Sequence, residues 1–141
     1  MNYNELHHLL LLAYNYSAKS IVKQTSQIGL MPGQPKILEF LLENDGCTQK
    51  EIGLGCALDK STITCLLHKM EEMDLIKKAP HESDKRSSII LLTEKGREIA
   101  IEVKKISCSV DESAWEDIDE EDKTIFIQTL QKIIQNLKRE G

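Results

Sequence analysis

The stretch from Thr48 to Met73, TQKEIGLGCALDKSTITCLLHKMEEM, reads as two short helices joined by a tight turn. Thr48 and Glu51 have the spacing of a capping box, in which the Thr hydroxyl and the Glu carboxylate each satisfy a backbone N–H at a helix start. The helix they open is expected to reach about Ala57. Asp59 is a good N-cap for a second helix, because its carboxylate accepts from amides that lack an intrahelical partner. Ile63, Leu66, Leu67, Met70 and Met73 recur at helical spacing and form that helix's buried stripe. With Ala57-Leu58 as the turn, the pair is a helix-turn-helix.

Working outward, Gly29, Pro32, Gly33 and Pro35 separate this unit from an apolar segment, about Asn4 to Gln27, that has no Gly or Pro and reads as a helix packed on several sides. Pro35 suits the first turn of a helix through Ile37, Leu38, Leu41 and Leu42, which Asp45-Gly46 ends. On the other side, Leu75 to Ala79 and Ser88 to Leu92 read as two strands of a β-hairpin, with Pro80 to Lys85 as its turn region. Thr93 caps a helix whose stripe is Ile99, Val103, Ile106 and Val110. A last helix begins at Asp119, with acids at its positive end, Lys138-Arg139 at its negative end, and Ile125, Phe126, Leu130, Ile133, Ile134 and Leu137 as its apolar face. The fold class is mainly α with a small β-hairpin, a winged helix-turn-helix between N- and C-terminal helices.

A recognition helix must bury one face and leave the other small and polar enough to enter the major groove. At 100° per residue, Ile63, Leu67 and Met70 fall on one side of the second helix and Ser61, Cys65 and His68 on the other, flanked by Thr62, Thr64 and Lys69. Ser and Thr hydroxyls can bond phosphates and base edges, a Thr methyl can meet a thymine methyl, and Lys60 and Lys69 can neutralise phosphate.

Asp84 to Gly96, DKRSSIILLTEKG, resembles the D-x-R…L-T-x-x-G signature of the MarR family of regulators, with Asp84, Arg86, Leu92, Thr93 and Gly96 matching. Asp59 to Thr64 is similar to that family's approach to the recognition helix, and Met70 to Ile76 to its passage into the wing. The resemblance implies that Arg86 is the wing's contact to the neighbouring minor groove or phosphates, braced by Asp84, with Lys85 and His81 nearby. A planar guanidinium suits a narrow, strongly negative groove. Cys65 departs from the pattern, because many members carry Arg there, and a Cys cannot bond guanine in bidentate fashion. Base readout is therefore expected to shift toward Ser61, Thr62, Thr64 and His68.

The expected organisation is a single domain over residues 1–141. A DNA-binding lobe occupies about 34–97, and the dimerisation helices about 1–28 and 98–141. The apolar first and last helices are too much for so short a chain to cover, so they are expected to pair in a homodimer. Two recognition helices would then face a pseudo-palindromic site of double-stranded DNA about one turn apart. The formal net charge of −5 does not speak against this. Residues 1–47 carry a net −1, residues 48–97 a net +1 and residues 98–141 a net −5, so the acidity sits away from the expected interface.

The chain has neither a long apolar run nor a basic leader, which points to a soluble, cytoplasmic protein without membrane contact. It has no Gly-rich phosphate loop, nucleophile triad or metal-ligand spacing, so neither an enzyme nor a cofactor or metal protein is expected. Four cysteines at 47, 56, 65 and 108 are spaced too widely for a C-x-x-C motif. Cys47 and Cys56 sit where the pattern wants small apolar residues and are expected to be inert.

Regulators of the family resembled often take a small phenolic or lipophilic effector between the dimer helices and the DNA-binding lobe. Tyr14, Tyr16 and Trp115 are the candidate lining here. A repressor released by such an effector is the leading expectation. The alternatives are thiol sensing through Cys65, exposed beside His68 and Lys69 on the DNA-facing surface, and a winged-helix protein-interaction module without DNA binding.

Overall fold

The computed structural model describes residues 4–83 and 86–141. Its elements are α1 (Leu6–Ser26), α2 (Gln34–Glu43), β1 (Cys47–Thr48), α3 (Gln49–Cys56), α4 (Lys60–Glu72), β2 (Ile76–Pro80), β3 (Ser88–Leu92), α5 (Glu94–Ala114) and α6 (Glu120–Glu140). The chain divides into two compact units, Met1–Val110 and Asp111–Gly141. In the first, α2, α3, α4 and the sheet enclose a core that includes Ile37, Leu38, Leu41, Ile52, Ile63, Leu67, Met70, Leu75, Ile76 and Ile90, closed by Ala100 and Val103 of α5.

Local chemistry sets each boundary. The Thr48 hydroxyl accepts from the Glu51 backbone N–H at 3.2 Å, and Glu51 Oε1 accepts from the Thr48 N–H at the same distance, completing the capping box of α3. Ala57 ends α3 in the left-handed region, at φ 54° and ψ 46°, and turns the chain toward α4. Asp59 Oδ1 accepts from the Thr62 N–H at 2.8 Å and caps α4. Gly33 precedes α2 at φ 90°, and a Cβ there would lie 2.9 Å from Leu66 Cδ1, so this turn sits directly on α4.

Three residues of the L-T-x-x-G stretch have separate structural duties. Leu92 enters the core. The Thr93 hydroxyl accepts from the Gly96 N–H at 2.9 Å and donates to the Asp74 carbonyl at 2.7 Å, fastening the start of α5 to the segment that leaves α4. Gly96 is there because a Cβ would fall 1.9 Å from the Leu75 carbonyl oxygen.

Several expectations need correction. The expected hairpin forms from β2 and β3, and a third strand that was not expected, β1, extends it into a three-stranded antiparallel sheet of order β1-β3-β2, with Cys47 opposite Ile90 and Ile76 opposite Leu92. β1 spans only two residues, too few to show alternation in sequence. β2 takes in Pro80, which was expected in the turn. Pro is tolerated because β2 is an edge strand.

The stripe of α5 is rotated from the expected one. Gly96, Ala100, Val103 and Ser107 are buried, while Ile99, Ile106 and Val110 are only half-buried. Small residues at 96, 100 and 107 let the helix approach closely, and Ser107 donates to Glu39 Oε2 of α2 at 3.0 Å. Nor is α1 packed on several sides within one chain, since Thr25 is its one fully buried residue.

In the second unit, α6 has Glu120, Glu121 and Asp122 in its first turn and Lys138 and Arg139 in its last, matching the helix dipole. Trp115 packs edge-on against Phe126, with ring centroids 5.8 Å apart. Lys123 Nζ lies 5.3 Å from the Trp115 ring centre. No residue of α6 is buried.

Candidate nucleic-acid interface

α4 divides its two faces sharply. Ile63, Leu67 and Met70 are buried, whereas Lys60, Ser61, Thr64, Cys65, His68 and Lys69 are exposed and Thr62 is half-buried on the flank. Lys60, Ser61, Thr64, Cys65 and His68 together line a shallow concavity. Hydrogen bonds from the Thr62 backbone N–H and the Ser61 hydroxyl hold Asp59 below its ordinary carboxylate range. Ser61 thus gives its proton to Asp59, at 2.8 Å, and keeps its oxygen as an acceptor.

Beside α4 runs an open groove of about 820 Å³, between the start of α3 and the base of the wing. Lys50, Lys60 and Arg86 line it with the hydroxyls of Thr48, Ser87 and Ser88, while Leu54 and Leu58 contribute apolar wall. Three cations among hydroxyl groups form a surface that can hold phosphate oxygens. His81 stands nearer the wing tip, where its Nδ1 is 3.1 Å from the Ser83 hydroxyl and its backbone N–H donates to the Ser87 carbonyl. Asp84 and Lys85, expected as wing brace and wing contact, lie outside the described residues.

Three groups at the interface did not figure among the expected contacts. Lys50 lines the groove, and Gln49 donates from Nε2 to the Thr64 hydroxyl at 2.8 Å. Both follow the capping Thr48 directly, so their place on the first turn of α3 was readable, though not their reach. Glu72 is the third. Its Oε1 lies 2.8 Å from His68 Nε2 and its Oε2 3.9 Å from Lys69 Nζ, pairings announced by spacings of four and three residues. One carboxylate thus reaches both His68 and Lys69.

The thiols separate as expected by burial. Burial, assisted by the Glu51 charge, pushes the Cys47 thiol up to about 11. Burial also raises Cys56, against the opposing effect of Lys36, whose carbonyl accepts from its Sγ at 3.5 Å. Cys65 and Cys108 are exposed.

The aromatic candidates occupy different settings. Tyr14 accepts from Lys36 Nζ at 2.9 Å and borders a cavity of about 150 Å³ together with Ile21, Val22, Pro35 and Ser107. Tyr16 is 70% exposed. Trp115 belongs to the second unit, against Phe126. Among the described residues, no group of His, Cys, Asp and Glu is placed to hold a metal ion, and no helix is long and apolar enough to cross a membrane.

Comparison with known proteins agrees with this geometry. The family model described as "MarR family" matches residues 28–87, which contain α2, the helix-turn-helix and the approach to β3. The organic hydroperoxide resistance transcriptional regulator of Bacillus subtilis is 29% identical over 118 residues, covering 82% of this chain and 80% of the relative. A MarR-family transcriptional regulator from Listeria monocytogenes, solved in complex with a 26mer DNA, superposes with a TM-score of 0.92 at 18% identity, covering 97% of this chain and 91% of that one. A MarR transcriptional regulator from Methanosarcina mazei gives 0.89 at 22% identity, covering 100% and 94%. At such identities the structural likenesses speak for the fold. Taken with the sequence match over the helix-turn-helix, they show that this chain has the fold of MarR-family regulators and is similar to that family in sequence across its helix-turn-helix.

Proposed function

We propose that this protein is a dimeric, sequence-specific DNA-binding transcriptional regulator that represses by placing α4 in the major groove and its wing against the neighbouring phosphates or minor groove. The observation that carries this reading is the division of α4. One face is locked into the core, and the other offers short polar groups beside a groove lined by Lys50, Lys60 and Arg86. The DNA-bound relative from Listeria supports it.

In this reading Ser61, Thr62, Thr64, Cys65 and His68 face base edges, and Lys60, Lys69, Lys85 and Arg86 bind phosphate or minor groove, with Asp84 bracing Arg86. The exposed apolar side chains of α1 and α6, Leu6, Leu9 and Leu11 on one and Ile125, Phe126, Ile134 and Leu137 on the other, are the surfaces that a second copy covers. Residues 1–28 and 98–141 then serve dimerisation and 34–97 serve DNA. The protein works in the cytoplasm and has no catalytic role. A small phenolic or lipophilic effector bound near Tyr14, with Tyr16 and Trp115 as further lining, releases it from its operator.

A second reading, thiol sensing through Cys65, is favoured by the exposure of that thiol on the same concave face as Ser61 and His68. Oxidation there adds bulk and polarity where DNA would lie. Wild type and Cys65→Ser are expected to differ in DNA release under mild peroxide if this holds, and equal release removes it.

Gel-shift titration on the protein's own upstream region at two salt concentrations tests the main reading. Specific binding that weakens steeply with salt is expected, because each neutralised phosphate releases counterions. An absence of binding to any duplex would leave a protein-interaction module as the better account.

A further inference from the structure

Thr64 is the one residue of the outer face of α4 whose hydroxyl is engaged from two sides. It donates to the Lys60 carbonyl, four residues back, at 2.8 Å, and it accepts from Gln49 Nε2 of α3 at 2.8 Å. A hydroxyl has one proton to give, and that proton is spent inside the helix. Thr64 therefore cannot donate to the acceptors that purines and thymine present in the major groove. What it retains is its methyl group, on a residue that is exposed and borders the concavity with Ser61, Cys65 and His68.

A Thr in a helix divides between two side-chain rotamers, because its hydroxyl can bond the preceding turn in more than one way. The amide of Gln49, arriving from a different helix, favours the rotamer that keeps Oγ1 within its reach. The position of the methyl is fixed as a result.

We propose that Gln49 is a positioning residue that sets Thr64 as a reader of thymine, through contact between the Thr64 methyl and the C5 methyl of the base. The inference rests on the DNA-binding reading above. It adds a residue on α3 that acts through a residue on α4, and it names the base feature recognised.

The test replaces thymine by deoxyuridine, one symmetry-related pair at a time, in a duplex that the full-length protein binds. This deletes one methyl per half-site and leaves every hydrogen-bonding group of the base intact. For wild type, one pair of positions is expected to lose about fourfold in affinity per half-site, the size of one methyl contact removed. Gln49→Ala and Thr64→Ser are each expected to abolish that thymine-over-uracil preference at the same positions. The steepness of salt dependence and the melting temperature should stay close to wild type, which a merely structural role for Gln49 would not allow.

A coupling measurement completes the test. In Thr64→Val the hydroxyl held by Gln49 is gone, so adding Gln49→Ala to it should change the uracil response no further. Binding by wild type with no uracil-sensitive position overturns the proposal while leaving the regulator reading intact. So does a Gln49→Ala protein with an unchanged thymine preference. An absence of binding to every duplex would instead overturn the regulator reading itself.

Discussion

α4 and α6 carry apolar stripes of comparable regularity, and the chain treats them oppositely. Ile63, Leu67 and Met70 of α4 are fully enclosed by the lobe core, while α6 has no buried residue and leaves Ile125, Phe126, Ile134 and Leu137 about half exposed. Periodicity states that a face will be covered but not by what. For α4 the cover is in the same chain. For α6 the account assigns it to a second copy, so the two stripes should fail differently when they are damaged.

The largest effect expected is at the junction behind α4. Gly96→Val puts a side chain where the Leu75 carbonyl oxygen already lies, and relief requires α5 to move away from the lobe. Loss of cooperative unfolding, or a melting temperature lowered by more than any core truncation achieves, is the expected outcome in a thermal scan. Next comes Leu67→Ala, expected to cost about 2–5 kcal/mol in denaturant unfolding, because a fully buried leucine is replaced by a cavity.

Ile134→Asp on α6 sharpens the contrast. It should leave the stability of the folded monomer within about 0.5 kcal/mol, as an exposed substitution does, yet shift the protein from dimer to monomer by at least about tenfold in sedimentation experiments. A dimer that survives Ile134→Asp and Leu137→Asp together would remove α6 from the interface.

Smaller effects probe the ends of the helix-turn-helix. Thr48→Ala breaks the capping box and should cost about 1 kcal/mol. The buried thiol Cys47 gives a pH signature. Its folded value of about 11 lies above the ordinary 9.0, so the folded state holds the proton more tightly. The stabilisation linked to it is complete below pH 9 and declines as pH rises from about 9 to about 11. Comparing Cys47→Ala with wild type over that window should isolate this decline, and identical pH profiles would contradict it.

Much of the lobe was readable because its signals are local. The pairs Thr48 with Glu51 and Asp59 with Thr62 lie within one turn, and their caps form as the spacing predicts. At the candidate interface, the inward and outward sides of α4 were legible. What escaped the sequence depends on approach between distant segments. β1 is a strand only because β3 lies alongside it, and the buried side of α5 was set by small residues meeting Leu75 and Glu39 rather than by its isoleucines. Asp45, read as a helix stop, also accepts from the Leu92 N–H at 2.9 Å and pairs with Arg97 at 2.6 Å, tying wing and α5 together. The Gln49 to Thr64 bond joins residues fifteen apart on different helices, a contact that no periodicity announces.

The most direct test of the central claim is selection of binding sites from random-sequence duplex DNA by the full-length protein, followed by hydroxyl-radical footprinting on the selected site. The account predicts an enriched pseudo-palindrome with two protected patches about one helical turn apart, weakened by Arg86→Ala and altered in sequence by changes at Ser61 or Thr64. A pool that shows no enrichment, or a selected sequence that stays the same when Ser61, Thr64 and His68 are replaced by alanine, would contradict the reading of α4 as the recognition helix.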